Sequence, residues 1–271
     1  MRAVAIIPAL NEAGAIGAVV RALPRDLIQR VVVVDNGSRD GTAAAARAAG
    51  ADVVIEWRRG YGFACMAGVA AAPEADVFLF LDGDGSDFAE DAGPLLTPVL
   101  DGRADLVLGS RTRGGTAAAG LPLQARAGNR LAAWLICRLD GVCISDLAPF
   151  KAVRAEALRS LALRERTYGW TIELIVRAAQ RGLRIEEVPA RYRARLAGQS
   201  KVSGTVSGTL RASVRILLTL ARLHWPWRGQ RGGPAPGARF ASNRWRAIAA
   251  AGAGMARCAA ASLRGRRGAG G

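Results

Sequence analysis

Apolar runs too short for helices recur through the first part of the chain, and each gives way to a polar turn and then to a stretch with apolar residues at helical spacing. Residues 2–8, RAVAIIP, read as a buried strand that Pro8 stops. Ile16, Val19, Val20 and Leu23 then mark a helix face. Residues 31–34 and 52–56 predict two more strands, each followed by a helix, at 43–49 and at 60–72. Residues 77–81, VFLFL, form an uninterrupted apolar run rich in strand formers, as expected of a strand buried on both faces in the middle of a sheet. A helix near 91–100 and a strand at 105–108 complete this part. Beyond it the pattern loosens. A Gly- and Ala-rich loop at 112–123 precedes a helix at 125–139, a strand or turn at 146–153, a helix at 168–181 closed by Gly182, and a partly alternating stretch at 183–192.

Strands alternating with helices predict βαβ units and a mostly parallel, Rossmann-like α/β sheet flanked by helices. Ligands of such sheets bind beyond the carboxyl ends of the strands. The loops at 9–12, 35–42, 82–87 and 109–111 all fall on that edge, and they hold most of the polar, glycine-rich and carboxylate-bearing turns. The central strand runs into Asp82-Gly83-Asp84. Side chains at i and i+2 of an extended chain point the same way, so these carboxylates can converge on one cation. Hard oxygen ligands of this kind suit Mg2+ or Mn2+, with water and substrate phosphates completing the shell. By itself such a pair is more often a solvated acidic turn after a strand.

Charge divides the chain. Of 38 basic residues, 16 lie from Arg191 onward, where there is no Asp or Glu, leaving 22 basic against 22 acidic residues before them. The excess predicts attraction to a polyanion, either nucleic acid or an anionic membrane surface. Residues 210–223 place Arg211, Arg215 and Arg222 among Leu, Ile and Val, as in an interfacial helix or a core helix with a charged outer face. Residues 226–271 are rich in Arg, Ala and Gly and predict no fold. The chain thus divides into a folded domain at 1–205, an amphipathic basic segment at 206–225 and a tail. Cys65, Cys137, Cys143 and Cys258 show no Cys-x-x-Cys spacing and are expected to be unpaired thiols in a reducing compartment. With no signal peptide and no uncharged apolar run of the ~18 residues a spanning helix needs, the expected location is cytoplasmic, peripheral on the inner face of the cell membrane.

The first turn, Pro8-Ala9-Leu10-Asn11-Glu12, is neither a dinucleotide-binding glycine fingerprint nor a P-loop. Together with Val34-Asp35-Asn36-Gly37-Ser38-Arg39-Asp40-Gly41-Thr42, Leu81-Asp82-Gly83-Asp84 and Gly109-Ser110-Arg111, it resembles family 2 glycosyltransferases of the GT-A fold. Arg126-Ala127-Gly128-Asn129, Asp146-Leu147-Ala148-Pro149-Phe150, Tyr168-Gly169-Trp170-Thr171-Ile172-Glu173 and Gly198-Gln199-Ser200-Lys201 are similar to the dolichyl- or polyprenyl-phosphate mannosyl- and glucosyltransferases within it. Two departures stand out: Gly83 replaces the usual Ala between the aspartates, and Ala148-Pro149 replaces Ser-Gly before Phe150.

The resemblance implies a nucleotide diphosphate sugar held by Pro8, Ala9, Asn11, Glu12, Asp35, Asp82 and Arg111, and a divalent ion on Asp82 and Asp84. It implies Arg126, Arg195, Ser200 and Lys201 at donor or acceptor phosphates, where the arginine fork donates two hydrogen bonds at once. Asp84, Arg126, Glu173 and Lys201 would carry catalysis. A polyprenyl phosphate is already anionic and can attack the anomeric carbon, with inversion, without a protein base; a sugar hydroxyl would need one, with Glu173 and Asp146 available. A hydroxyl acceptor is the first alternative. A non-catalytic basic module on membranes or nucleic acid is the second; the intact Asp82-x-Asp84 and the few aromatics of the tail speak against it, so no nucleic acid partner is expected.

Overall fold

A computed structural model describes residues 1–113, 123–197 and 218–224. Seven strands form one sheet in the order β3-β2-β1-β4-β6-β5-β7. They are β1 (Ala3–Ala9), β2 (Arg30–Asp35), β3 (Asp52–Ile55), β4 (Val77–Phe80), β5 (Leu106–Ser110), β6 (Lys151–Arg154) and β7 (Ile185–Pro189). The apolar run at 77–81 thus supplies the central strand. All neighbours run parallel except β6, which lies antiparallel between β4 and β5.

Each central strand is apolar on both sides because both faces of the sheet are covered. On one face Val4, Ile6, Val32, Val34, Phe78 and Phe80 pack under α3 (Tyr61–Ala71), α5 (Leu123–Asp140) and α7 (Trp170–Gln180). On the other, Ile7, Val31, Val33, Val77 and Leu79 pack under α1 (Ile16–Ala22) and α4 (Ala92–Leu100), with Ala46 of α2 (Thr42–Ala48) joining them. A short helix, α6 (Ala155–Ser160), follows β6, and residues 218–224 form a further helical turn whose Leu220 enters the first layer. Burying side chains of this size contributes roughly 1.5–3 kcal/mol each.

Pro8 does not stop β1: the strand runs to Ala9, with Pro8 opposite Val34 of β2. The ladder to β4 has already ended at Ile6–Phe80, so a proline nitrogen without a proton leaves no β4 acceptor unmet. The cysteine expectation is also corrected. Gly141, at φ 73°, turns the chain back at the end of α5, and Cys143 is disulfide-bonded to Cys137 of the helix. Cys65 remains a free, buried thiol, and Cys258 lies outside the described residues. Among the described residues no helix is long and apolar enough to cross a membrane. Of the proposed basic segment at 206–225, only 218–224 is described, and it is helical.

Candidate active site

Strands β1, β2, β4 and β5 end at the same edge of the sheet, and antiparallel β6 begins there. The first three loops are sewn together by short polar side chains. Asn11 adopts φ 52°, its amide donating to Ser38 Oγ at 2.9 Å and its Oδ1 accepting from the Arg39 amide at 2.8 Å. The Glu12 amide donates to Thr42 Oγ1 at 2.8 Å. Asp35 Oδ1 accepts from the Ser38 amide at 2.7 Å, closing the turn from which the second loop reaches residues 11–13. Asn36 donates to the carbonyls of Glu56 and Arg58, both at 2.8 Å, and accepts from the Gly60 amide, tying the exit of β3 to the same rim.

The acidic loop after β4 lies under a strap formed by residues 191–197. Tyr192 bridges to Asp87, the Arg193 amide donates to the Ser86 carbonyl at 3.0 Å, and the Leu196 amide to the Asp84 carbonyl at 2.9 Å. Gly85 is required in this fit. Its φ is 72°, and a Cβ there would stand 2.5 Å from Leu196 Cδ1. Arg195 Nη2 donates to Asp84 Oδ2 at 2.7 Å, and its Nη1 lies 3.7 Å from Glu12 Oε1. One predicted phosphate-binding cation therefore sits on one predicted metal ligand. Asp87, absent from the expected site, is buried with neither carboxylate oxygen meeting a hydrogen-bond donor. Burial pushes Asp87 up to about 6, opposed by Arg111 and reinforced by Asp84. Burial, then the charges of Asp84 and Asp87, push Asp82 up to about 8. Among the described residues no three acidic, Cys or His side chains form a ready metal cage.

Arg111 and Asp146 form a second, buried unit at the rim. Arg111 Nε and Nη2 grip Asp146 at 2.7 and 2.8 Å, the Arg111 amide adds a third bond, and Asp146 Oδ1 also accepts from Asn129 Nδ2 at 2.9 Å and the Leu147 amide at 2.8 Å. The Arg111 guanidinium stands 5.1 Å from the centre of the Tyr192 ring, under the strap. Glu187 of β7 secures this unit by accepting from Ser145 and from the Asp146 amide. Glu173 is buried in α7. Its Oε2 accepts from the amides of Arg164 and Glu165 at 2.8 and 2.6 Å, and its Oε1 from Arg177 Nε at 2.7 Å. The structure therefore turns Glu173 toward the loop before α7. Arg126 is exposed on the first turns of α5, and Ser200 and Lys201 lie outside the described residues.

Lys151 is a feature sequence reasoning missed. It pairs in register with Phe80, so its side chain shares a face with Phe80 and, two residues further on, with Asp82. Lys151 is fully buried, donates to Thr171 Oγ1 at 3.1 Å, and lies 5.5 Å from the Trp170 ring centre and 5.9 Å from that of Tyr61. Burial pushes its ammonium down to about 8, against the attraction of Cys65, Asp82 and Asp87. A single lysine inside the apolar stretch 148–153 was the only sequence signal.

The rim gathers the turns, carboxylates and cations picked out from the sequence, and comparison with known proteins supplies the family. The glycosyl transferase family 2 profile matches residues 4–150, more than half of the chain. The chain belongs to that family. An uncharacterised glycosyltransferase of Mycobacterium tuberculosis is 41% identical over 207 residues, covering 76% of this chain and 91% of its own. The undecaprenyl-phosphate mannosyltransferase of Micrococcus luteus is 34% identical over 226 residues, covering 77% and 90%. The polyprenol monophosphomannose synthase of Mycolicibacterium smegmatis is 34% identical over 221 residues, covering 75% and 82%. Among solved structures, glucosyl-3-phosphoglycerate synthase from Mycobacterium tuberculosis, in complex with Mn2+, UDP and glucosyl-3-phosphoglycerate, matches with a TM-score of 0.67 at 26% identity over 82% of this chain and 79% of that one. The fold is thus of the GT-A type, and the protein is a nucleotide-sugar-dependent glycosyltransferase.

Proposed function

We propose that the transferase moves a hexose from a nucleotide diphosphate sugar, of the GDP-mannose or UDP-glucose type, to a polyprenyl phosphate at the cytoplasmic face of the membrane. The observation that carries this reading is the state of the two carboxylates offered as general bases. Every oxygen of Asp146 and of Glu173 already accepts a hydrogen bond from the protein. A hydroxyl acceptor must lose a proton as it attacks; a phosphate monoester has lost it beforehand. Two relatives, by name an undecaprenyl-phosphate mannosyltransferase and a polyprenol monophosphomannose synthase, point to the same acceptor class.

In this mechanism an acceptor phosphate oxygen attacks the anomeric carbon from the side opposite the diphosphate, forming one C–O bond as the other breaks and inverting the centre. Asn11, Glu12 and Asp35, on the sewn loops, would receive the nucleoside. Arg195, Arg126 and Lys201 would face phosphate oxygens. Mg2+ or Mn2+ fits the residues present, because Asp87 keeps two buried oxygens without donors and Asp84 already holds a cationic group. Asp82, Asp84 and Asp87 would hold the ion, which when bound neutralises charge on the departing diphosphate. A set without a closed cage suits ions that keep water and substrate phosphates as ligands.

A second reading, transfer to a hydroxyl of a small phosphorylated acid, is favoured by the likeness to glucosyl-3-phosphoglycerate synthase. Thermal unfolding with GDP, UDP, their sugars and Mn2+, on wild type and Asp84→Ala, tests the donor site. We expect a metal-dependent rise with one nucleotide that Asp84→Ala abolishes. Transfer from that donor to polyprenyl phosphate, and not to 3-phosphoglycerate, is the expected acceptor result. No rise with any nucleotide would sink the assignment of the site, and transfer to the glycerate alone would replace the first acceptor with the second.

A further inference from the structure

We infer that the outward face of α5 is a docking surface for an anionic lipid bilayer. The inference deepens the proposed function, since a polyprenyl phosphate acceptor is met at a membrane. Helix α5 has two apolar sides. Ala132, Ala133 and Ile136 are buried in the core, whereas Leu131, Trp134 and Leu139 face out, 47%, 55% and 53% exposed. Leu131, Trp134 and Arg138 follow one another at i, i+3 and i+7, a single stripe of the helix surface. Arg130 and Arg138 are exposed in the same stretch, and the Arg138 guanidinium lies 5.9 Å from the Trp134 ring centre.

The helix carries one acidic residue, Asp140, and both its oxygens lie 3.0 Å from His224 Nε2 of the helical turn at 218–224. A stripe of Trp and Leu set among arginines, with no exposed carboxylate, matches the bilayer interface: rings and chains enter the acyl boundary while guanidinium groups meet anionic headgroups. Water offers such a stripe no compensation for its apolar area. The same helix reaches the site. Asn129, five residues before Trp134 on the same helix, donates to Asp146 at 2.9 Å, so a bilayer held against α5 would present its headgroup layer beside the rim.

The test uses the full-length protein with phosphatidylcholine vesicles, with and without phosphatidylglycerol, carrying bromine on their acyl chains to quench tryptophans that enter the apolar layer. The arginines after Arg191 would attract any anionic vesicle, so depth of quenching, rather than binding alone, isolates the helix. We expect strong quenching on phosphatidylglycerol vesicles and a much smaller signal in Trp134→Phe at equal binding. Leu131→Glu should remove the Trp134 share, and Arg130→Gln with Arg138→Gln should weaken binding by about fivefold per arginine. Unchanged circular dichroism melts would show that these variants fold. Quenching in Trp134→Phe equal to wild type would overturn the inference. So would self-association relieved by Leu131→Glu without quenching, which assigns the face to a second copy. Quenching without any transfer to polyprenyl phosphate would leave the surface standing and remove the acceptor reading.

Discussion

Glu173 occupies a position in the motif where a carboxylate could serve as a base, yet its local bonds give it a different task. Two consecutive amides, of Arg164 and Glu165, converge on one oxygen, and Arg177 one helical turn later takes the other. Glutamine keeps a carbonyl for the amides but presents an amide group to the arginine, donor against donor. For Glu173→Gln we therefore expect a stability loss of about 1.5–3 kcal/mol, the usual worth of charge-assisted bonds, seen as a lower urea midpoint. Transfer to the lipid phosphate should fall by less than about tenfold, against the roughly 10²–10⁴-fold expected on losing a base. A rate loss of the larger size in a variant of normal stability would return Glu173 to the chemistry. Spacing alone could not separate these roles. That Asp82 and Asp84 stand together was legible because both lie in one short loop. Lys151 was not, because its environment comes from Tyr61 and Trp170, far away in sequence.

At the scale of elements, the meeting of α3 with the loop before α7 depends on Gly60 and Gly62. The Phe63 amide donates to the Arg166 carbonyl at 3.1 Å, so residues 165–166 press directly on the first turn of α3. A Cβ on Gly62 would lie 2.6 Å from the Glu165 carbonyl oxygen and 2.8 Å from Arg166 Cα. Those atoms are backbone, and Glu173 holds that backbone from the other side. Gly62→Ala should thus cost about 1–3 kcal/mol of stability, as overpacking does, and chemical denaturation with circular dichroism would measure it. An unchanged midpoint would mean that the loop can lift off α3. Helix α3 also carries Tyr61, packed edge-on to Trp170 of α7 with ring centres 6.2 Å apart, so lifting would open the wall around Lys151. Most helices and strands were legible from their periods to within a residue or two, but β6 and β7 were placed less closely and α6 was not foreseen. This contact and the Cys137–Cys143 bond were not, since neither leaves a periodic trace.

For the whole molecule, the two-sided sheet was readable because covering both faces makes the central strands uninterrupted apolar runs, and the candidate site followed from where parallel strands end. Antiparallel β6 was harder: its sequence, Lys151-Ala152-Val153-Arg154, is not an uninterrupted apolar run and says nothing about direction. The same sheet sets the response to acid. Glu56, at the exit of β3, is bonded by Arg58 through both its guanidinium and its amide, which hold its carboxyl down to about 2 from an ordinary 4.5. Asp105, at the entry to β5, is held below its usual range by hydrogen bonds from Arg184. For a carboxylate with a depressed native value, the unfolded chain binds more protons between the two values, so stability rises with pH there. The contribution of Glu56 is complete above about 4.5 and lost as pH falls toward about 2, and that of Asp105 is lost below about 3.8. Urea midpoints measured from pH 6 to pH 2 should therefore fall less steeply in Glu56→Gln and Asp105→Asn than in wild type, the curves converging at the acid end. Parallel curves would show that these pairs form equally in the unfolded chain, and the acid limb would then belong to carboxylates elsewhere in the protein.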